Sequence, residues 1–254
     1  RYLGIKSVTV FPGNGTRALP AIQGAYLLLS AKTGEPLALM DAPRLTAWRT
    51  AAASALAARY LARTNSSRML MVGAGALSAY LVRAHASIRP IREVVIWNRT
   101  RAGAQRLVES LAGTGLSVAV TDDLEQAART ADIISTATLS AVPLISGAWL
   151  SPGVHLDCVG AYRAGMRETD DETVRRARIW VDTRAGGFAE AGDILIPLAA
   201  GIIGRDKVEG DLDELTRGVA PVRRSDADIT MFKSVGASIE DLAAAVAVYE
   251  AVMA

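Results

Sequence analysis

The ten residues Met69-Leu70-Met71-Val72-Gly73-Ala74-Gly75-Ala76-Leu77-Ser78 constrain this chain more than any other stretch. A short apolar run of strand length ends in a glycine turn and passes directly into a helical pattern over 76–87. Gly73 permits the tight turn and Gly75 keeps no side chain between the backbone and a ligand. Ser78, at the third glycine position, is small enough for close helix–strand packing. A first parallel strand meets a helix in this way when a dinucleotide pyrophosphate sits on the helix N-terminus. A glycine pattern alone is weak evidence, but the strand before it, the helix after it and a second strand over 93–97 agree with it.

A chain of 254 residues, 50% hydrophobic, is long enough for one large domain or two smaller ones. A net charge of +2 with scattered basic residues gives no footprint for nucleic acid. The densest basic runs, Arg175-Arg176-Ala177-Arg178 and Arg223-Arg224, read as solvated faces. The single cysteine, Cys158, excludes an intrachain disulfide framework; in an apolar run it reads as a buried, inert thiol suited to a reducing cytoplasm. No apolar run reaches the roughly 20 residues that span a bilayer, and nothing resembles a signal peptide, so no membrane role is expected. The sequence opens at Arg1 within an expected strand, and residues ahead of it are expected.

Residues 4–11 read as a strand closed by a turn at 12–15. Two apolar runs, 25–31 and 36–40, flank Lys32-Thr33-Gly34-Glu35 as a hairpin. Together they predict a small mixed or antiparallel sheet. A helix follows over 43–63, proline in its first turn and alanine-rich beyond. From the glycine strand onward, helices over 101–111, 123–129 and 168–177 alternate with strands over 117–120, 131–135, 154–159 and 178–181. That alternation predicts a Rossmann-type doubly wound parallel sheet with helices on both faces, an α/β fold. After Val181 the pattern loosens into loops and short helices, and the run 229–233 and a final helix over 238–253 close the chain. The simplest division inserts a dinucleotide-binding domain, 46–224, into a smaller α+β domain made from 1–45 and 225–254.

The residues after the second strand bear on which dinucleotide binds. A carboxylate there would hold the ribose 2′-hydroxyl and repel a 2′-phosphate. The chain instead has Asn98-Arg99-Thr100. Charge-assisted hydrogen bonds from Arg99 would contribute about 1.5–3 kcal/mol toward a 2′-phosphate, and Asn98 and Thr100 could add neutral ones. NADP(H) is therefore the expected cofactor, with NAD(H) still open. An arginine merely capping a strand end in solvent is the plainer alternative.

With these segments assembled, the chain resembles the ornithine cyclodeaminase/mu-crystallin family over essentially its whole length. The resemblance is carried by Lys6-Ser-Val-Thr-Val-Phe-Pro12-Gly-Asn14, Leu19-Pro20-Ala-Ile-Gln23-Gly24 and Leu45-Thr46-Ala-Trp-Arg49-Thr50-Ala51-Ala52. It continues in Val159-Gly160-Ala161, Arg167-Glu168, Glu190-Ala-Gly192-Asp193 and Phe232-Lys233-Ser234-Val235-Gly236. It implies a two-domain homodimer in which the terminal segments form the substrate and dimer domain and the site lies between domains. Members carry further residues before this chain's start, including an arginine for the substrate carboxylate that has no counterpart here.

Lys6, on a strand among apolar residues, either points to water or is held with its charge paired. By resemblance it contacts the substrate carboxylate and can supply a proton. Arg49 lies where close helix packing is expected. A buried guanidinium needs an anionic partner, which the resemblance assigns to substrate carboxylate and cofactor; a structural ion pair is the other reading. The resemblance further assigns the cofactor to Gly73, Gly75, Ala76, Leu77, Asn98, Arg99, Thr100, Thr136, Ala137, Thr138, Val159, Gly160 and Ser234, and places Val235 against substrate. Ordinary turn chemistry would also explain 136–138. His85 and His155 read as packing or surface histidines, and no cluster has metal-ligand spacing.

Tyr162 is the informative departure, because ornithine cyclodeaminases have an aspartate there. A carboxylate can act as a base near neutral pH, whereas a phenol of pKa about 10 mostly cannot. That speaks against cyclodeamination but not against hydride delivery to an imine that arrives protonated. The leading expectation is an NAD(P)H-dependent oxidoreductase reducing a small imine that bears a carboxylate, such as pyrroline- or piperideine-2-carboxylate. Tyr162 would donate a hydrogen bond or shape the pocket. Cyclodeamination of ornithine or lysine with bound NAD, oxidative amino-acid dehydrogenation, and non-catalytic NADPH-dependent ligand binding stay open beside it.

Overall fold

The computed structural model describes residues 1–17, 19–20 and 22–254. Ala21, within the 19–24 motif, lies outside the described residues. The chain forms two compact units, one from Arg1–Thr50 with Ala237–Ala254 and the other Ala51–Gly236.

In the smaller unit, β1 (Tyr2–Val10), β2 (Ile22–Ser30) and β3 (Pro36–Asp41) make an antiparallel sheet in that order. Gly34 closes the hairpin at φ +77°, a conformation glycine adopts without strain. Strand alternation turns Tyr26 and Leu28 inward, where they pack with Ala42, Leu45 and Ala245. Leu3, Ile5 and Leu39 stay exposed. The helix α1 (Ala42–Leu61) begins in this unit, and its alanines 51, 57 and 58 are buried in the larger one. Small side chains there permit close backbone approach.

The larger unit runs β4 (Arg68–Val72), α2 (Ser78–Ile88), β5 (Glu93–Trp97), α3 (Arg101–Ser110), β6 (Ser117–Val120), α4 (Leu124–Thr130), β7 (Ile133–Thr136), β8 (His155–Cys158), α5 (Asp171–Arg176) and β9 (Arg178–Val181). It continues with α6 (Arg184–Gly187), α7 (Gly192–Ala199), β10 (Val208–Asp211), α8 (Leu212–Thr216) and β11 (Thr230–Lys233). The helix α9 (Ser238–Met253) returns to the smaller unit, where Leu242, Val246 and Tyr249 pack on its core as their spacing predicts.

Eight strands pair in the order β10-β9-β11-β8-β7-β4-β5-β6, and every pairing is parallel. Leu70 and Val72 enter one apolar cluster with Leu156, Ile179 and Met231, while Met69 and Met71 enter another with Val94, Ile96 and Leu81. Both faces are thus covered, as a parallel sheet requires.

Four expectations change. The expected return at residue 225 comes later: β11 lies between β8 and β9 inside the large sheet, because its Thr-Met-Phe-Lys run is buried throughout. The helix expected over 168–177 is only Asp171–Arg176, capped by Asp170, which accepts from the Thr173 N–H. Residues 182–216, expected as loops and short helices, also contain an edge strand, β10. Finally, Arg175, Arg176 and Arg224 of the basic runs are exposed as expected, but Arg178 and Arg223 are structural ties. Arg178 pairs with Glu209 and Asp228, and Arg223 donates to the carbonyls of Leu61, Gly153 and Asp228. No helix among the described residues is long and apolar enough to cross a membrane.

Candidate active site

At the carboxyl end of β4 the chain turns at Gly73 with φ +104°, and a Cβ there would stand 2.8 Å from the Ala137 carbonyl oxygen. Conformation and space both demand glycine. The hydroxyl of Ser78, buried at the start of α2, donates to the Gly73 carbonyl at 3.0 Å, so this small residue pins the turn to the helix it precedes. A Cβ on Gly75 would meet nothing within 4 Å. Among the described residues, nothing accepts from the N–H groups of Gly75, Ala76 or Leu77. Open space beside orphan donors at a helix N-terminus fits a pyrophosphate.

The turn forms one wall of a cavity of about 440 Å³, with Asn98, Arg99, Thr100, Arg106, Ala137 and Thr138 among its lining residues and no carboxylate. Arg99 and Arg106 make no ion pair among the described residues, whereas neighbouring Arg101 is paired with Asp122. Two uncommitted guanidinium groups in a cavity without anions suit a phosphate. Asn98 is otherwise engaged: its Oδ1 accepts from the Ala74 N–H, and its Nδ2 donates to the carbonyl and hydroxyl of Thr100. It fixes the turn against the second strand and has no amide end to spare for a phosphate.

Ala137 and Thr138 line the cavity, but Thr136, Val159, Gly160 and Ser234 are buried and outside its lining. Thr136 donates its hydroxyl to Oε2 of Glu168 at 2.8 Å. The N–H and hydroxyl of Thr138 both go to Oε1 of the same carboxylate, each at 2.7 Å. Val159 and Gly160 donate backbone N–H groups to the Thr136 carbonyl. Ser234 donates its N–H to the Cys158 carbonyl. Asp182 accepts from the N–H groups of Val235 and Gly236 and so holds the late loop.

Tyr162 is 36% exposed, with the Arg163 guanidinium 5.6 Å from its ring centroid. It follows Ala161, a buried residue at φ +51°. A non-glycine residue in the left-handed region costs about 1–3 kcal/mol and is kept where surroundings over-determine it.

In the smaller unit, Lys6 and Arg49 converge. Lys6 Nζ donates to both oxygens of Asp241 at 3.0 and 2.9 Å, and Arg49 Nε donates to Oδ1 at 3.1 Å. Arg49 Nη1 reaches Glu240 at 2.7 Å, while its Nη2 makes no hydrogen bond among the described residues. The two carboxylates sit in the first turn of α9, where the helix dipole favours anions. Burial and the Asp241 charge hold the nearby Tyr26 phenol above its ordinary pKa.

The histidines are interior. His85 Nε2 is 2.9 Å from Oδ2 of Asp157, which also accepts from Ser135. His155, beside the Thr230 hydroxyl, is driven by burial to a pKa of about 3 and is neutral. Burial likewise pushes the Cys158 thiol well up, which makes it unreactive. Sequence reasoning missed Asp241, Glu240, Asp182 and Arg106. Only the need of Arg49 for an anion signalled the first two.

A parallel sheet with an open glycine turn at the end of β4 and a cavity without carboxylates defines the class: an α/β protein of the dinucleotide-binding type. The chain belongs to the ornithine cyclodeaminase/mu-crystallin family, whose model matches residues 1–254. It is 43% identical over 240 residues to the Delta(1)-pyrroline-2-carboxylate reductase of Paracoccus denitrificans, covering 94% of this chain and 76% of that protein. Among solved structures it is similar to Delta(1)-pyrroline-2-carboxylate reductase of Thermococcus litoralis in complex with NADH and L-proline. There the TM-score is 0.93 and the identity 35%, over 97% of this chain and 77% of that one. An archaeal alanine dehydrogenase dimer with bound NAD gives a TM-score of 0.92 at 35% identity, over 98% and 76%.

Proposed function

We propose that this chain is an NAD(P)H-dependent imine reductase that converts a small carboxylate-bearing imine, such as pyrroline- or piperideine-2-carboxylate, to the amino acid. The observation that carries the reading is the convergence of Lys6 and Arg49 on one carboxylate. Their geometry suits a carboxylate group, and Arg49 Nη2 and the third ammonium proton remain for a second one. Lys6 and Arg49 hold the substrate carboxylate, and Lys6 can supply a proton.

In the larger unit the N–H groups of residues 75–77 take the pyrophosphate, and Ala137 and Thr138 wall the cavity. Arg99, Thr100 and Arg106 give a preference for NADP(H) over NAD(H), with NAD(H) still accepted. When bound, the reduced nicotinamide supplies a hydride for the imine carbon. Tyr162 donates a hydrogen bond near the reacting nitrogen, and Val235 shapes the substrate side. A phenol is a poor base near neutral pH, which favours reduction of a protonated imine over cyclodeamination. The similarity to two reductases supports this direction, and that to an alanine dehydrogenase supports the reverse oxidation on the same clamp. A homodimer in a reducing cytoplasm completes the proposal.

Loss of NADPH absorbance on adding 1-pyrroline-2-carboxylate or its piperideine homologue is the expected result. Absence of turnover with every imino acid at millimolar concentration overturns the reading.

A further inference from the structure

Beneath residues 160–162 lies a second ionisable cluster that the proposed reaction leaves idle. Lys233, the last residue of β11, has no exposed surface, and register sets it beside Cys158 and Val181. Its Nζ donates to the carbonyls of Cys158, at 3.1 Å, and Gly160, and stands 3.6 Å from Oδ2 of Asp193. Asp193, in the first turn of α7, is equally buried. Its Oδ1 accepts from the N–H groups of Glu168 and Thr169 and from the Thr169 hydroxyl. Its Oδ2 makes no hydrogen bond among the described residues.

Fully ionised, Lys233, Asp193 and Glu168 are one cation against two anions, in an interior where uncompensated charge is costly. One proton removes the excess. Burial, reinforced by Asp193 and opposed by Lys233, pushes Glu168 up to about 7. The Cys158 thiol facing the cluster from β8 stays neutral.

The same carboxyl is tied to the cavity wall. An ionised Glu168 accepts from the Thr138 N–H and from the hydroxyls of Thr138 and Thr136. A protonated one carries its proton on Oε2, because Oε1 must still accept the Thr138 N–H, so the Thr136 hydroxyl turns to accept and the Thr138 bonds to Oε1 lose their charge assistance. Because Thr138 lines the cavity, how firmly Glu168 holds its hydroxyl bears on the cavity surface.

We propose that Glu168 is a positioning residue carrying the one labile proton that balances charge beside the buried Lys233–Asp193 pair, and that dinucleotide occupancy of the cavity is linked to this proton through Thr138. The inference rests on the dinucleotide reading above. By linkage, a ligand that needs the Thr138 hydroxyl either held or released shifts the titration of Glu168 by the factor with which protonation shifts the ligand's affinity.

Infrared titration of the unliganded chain reads the proton directly. A protonated-carboxyl band that fades with a midpoint near pH 7 is expected in the wild type and absent in Glu168→Gln. Calorimetry with NADPH and with NADH, in buffers of different ionisation heat, reads the linkage. A fraction of a proton is exchanged on binding near pH 7, and the exchange is lost in Glu168→Gln. NADH serves because a phosphate monoester itself titrates at about pH 6. Binding heat without proton exchange in the wild type, or exchange intact in Glu168→Gln, overturns the proposal and leaves the dinucleotide reading standing. No heat with either dinucleotide overturns both. Should Glu168→Gln fail to fold, Thr138→Val serves: it removes a donor to the ionised form, so the infrared midpoint must rise, and an unchanged midpoint overturns the coupling.

Discussion

Lys6 and Arg49 share Oδ1 of Asp241, at 3.0 and 3.1 Å, so the two cations are held together by a carboxylate belonging to the fold itself. Removing it exposes what the anion does. In Asp241→Ala two largely buried cations lose their common partner, and stability falls by about 3 kcal/mol, read as a lower urea midpoint. Asp241→Asn, which keeps a carbonyl acceptor, loses less.

The clamp itself is tested by substrate choice. Arg49→Ala removes charge-assisted hydrogen bonds of about 1.5–3 kcal/mol, so kcat/KM for 1-pyrroline-2-carboxylate falls roughly ten- to a hundredfold or somewhat more. Activity on 1-pyrroline, which lacks the carboxylate, changes little. An equal fall for both substrates assigns Arg49 a role other than the clamp.

Cofactor preference has a separate handle. Arg99→Ala weakens NADPH binding by about ten- to a hundredfold and leaves NADH nearly unchanged. Arg106→Ala acts in the same direction. Titration of cofactor fluorescence checks both.

Two buried groups give the unliganded protein a defined pH profile. Glu168 rises from an ordinary 4.5 to about 7, so the native state holds its proton more tightly. Its contribution is fully present below 4.5 and is lost as pH climbs through 7, on the order of 3 kcal/mol in all. His155 falls from 6.5 to about 3, so its contribution is present above 6.5 and is lost as pH drops toward 3. Between about 4.5 and 6.5 the two slopes oppose each other, which predicts a plateau in thermal midpoint. Glu168→Gln abolishes the alkaline decline and leaves the acid one.

Backbone conformation separates two small residues. Gly73→Ala places a Cβ 2.8 Å from the Ala137 oxygen at φ +104°, so stability drops by about 2 kcal/mol or more and NADPH binding heat disappears. Ala161→Gly, at φ +51°, relieves strain and raises stability by about 1 kcal/mol, a gain visible in the urea midpoint.

Periodicity locates much of the fold. Residues 93–97, 117–120 and 178–181 are strands with the bounds that their apolar patterns predict. The turn at 73–78 is legible because its chemistry is local. Residues 182–216 are not, since β10 is a four-residue edge strand whose placement depends on β9. The membership of β11 in the large sheet is equally hidden, because a short apolar strand does not say which neighbour it will find. In the site, the need of Arg49 for an anion could be read from its apolar surroundings, but Asp241 and Glu240 lie far along the chain and look like ordinary first-turn acids. Asn98 and Thr136 carry the right chemistry for cofactor contact, yet hydrogen bonds within the protein take up their side chains. Lys233 offered the signal that singled out Lys6, a lysine in an apolar strand, and only the register shows where its charge goes.

The placement of β11 also orders events on the ribosome. The strands β9 and β10 join the rest of the sheet only through it. The strands β4 to β8 can assemble as soon as they emerge, around the wall that takes the nucleotide. The two strands beyond must wait, edges unsatisfied, until residue 233 has been synthesised. A nascent chain stalled before Thr230 therefore carries a finished glycine turn beside an exposed strand edge at β8, and it is this half-closed species that needs shielding from its neighbours.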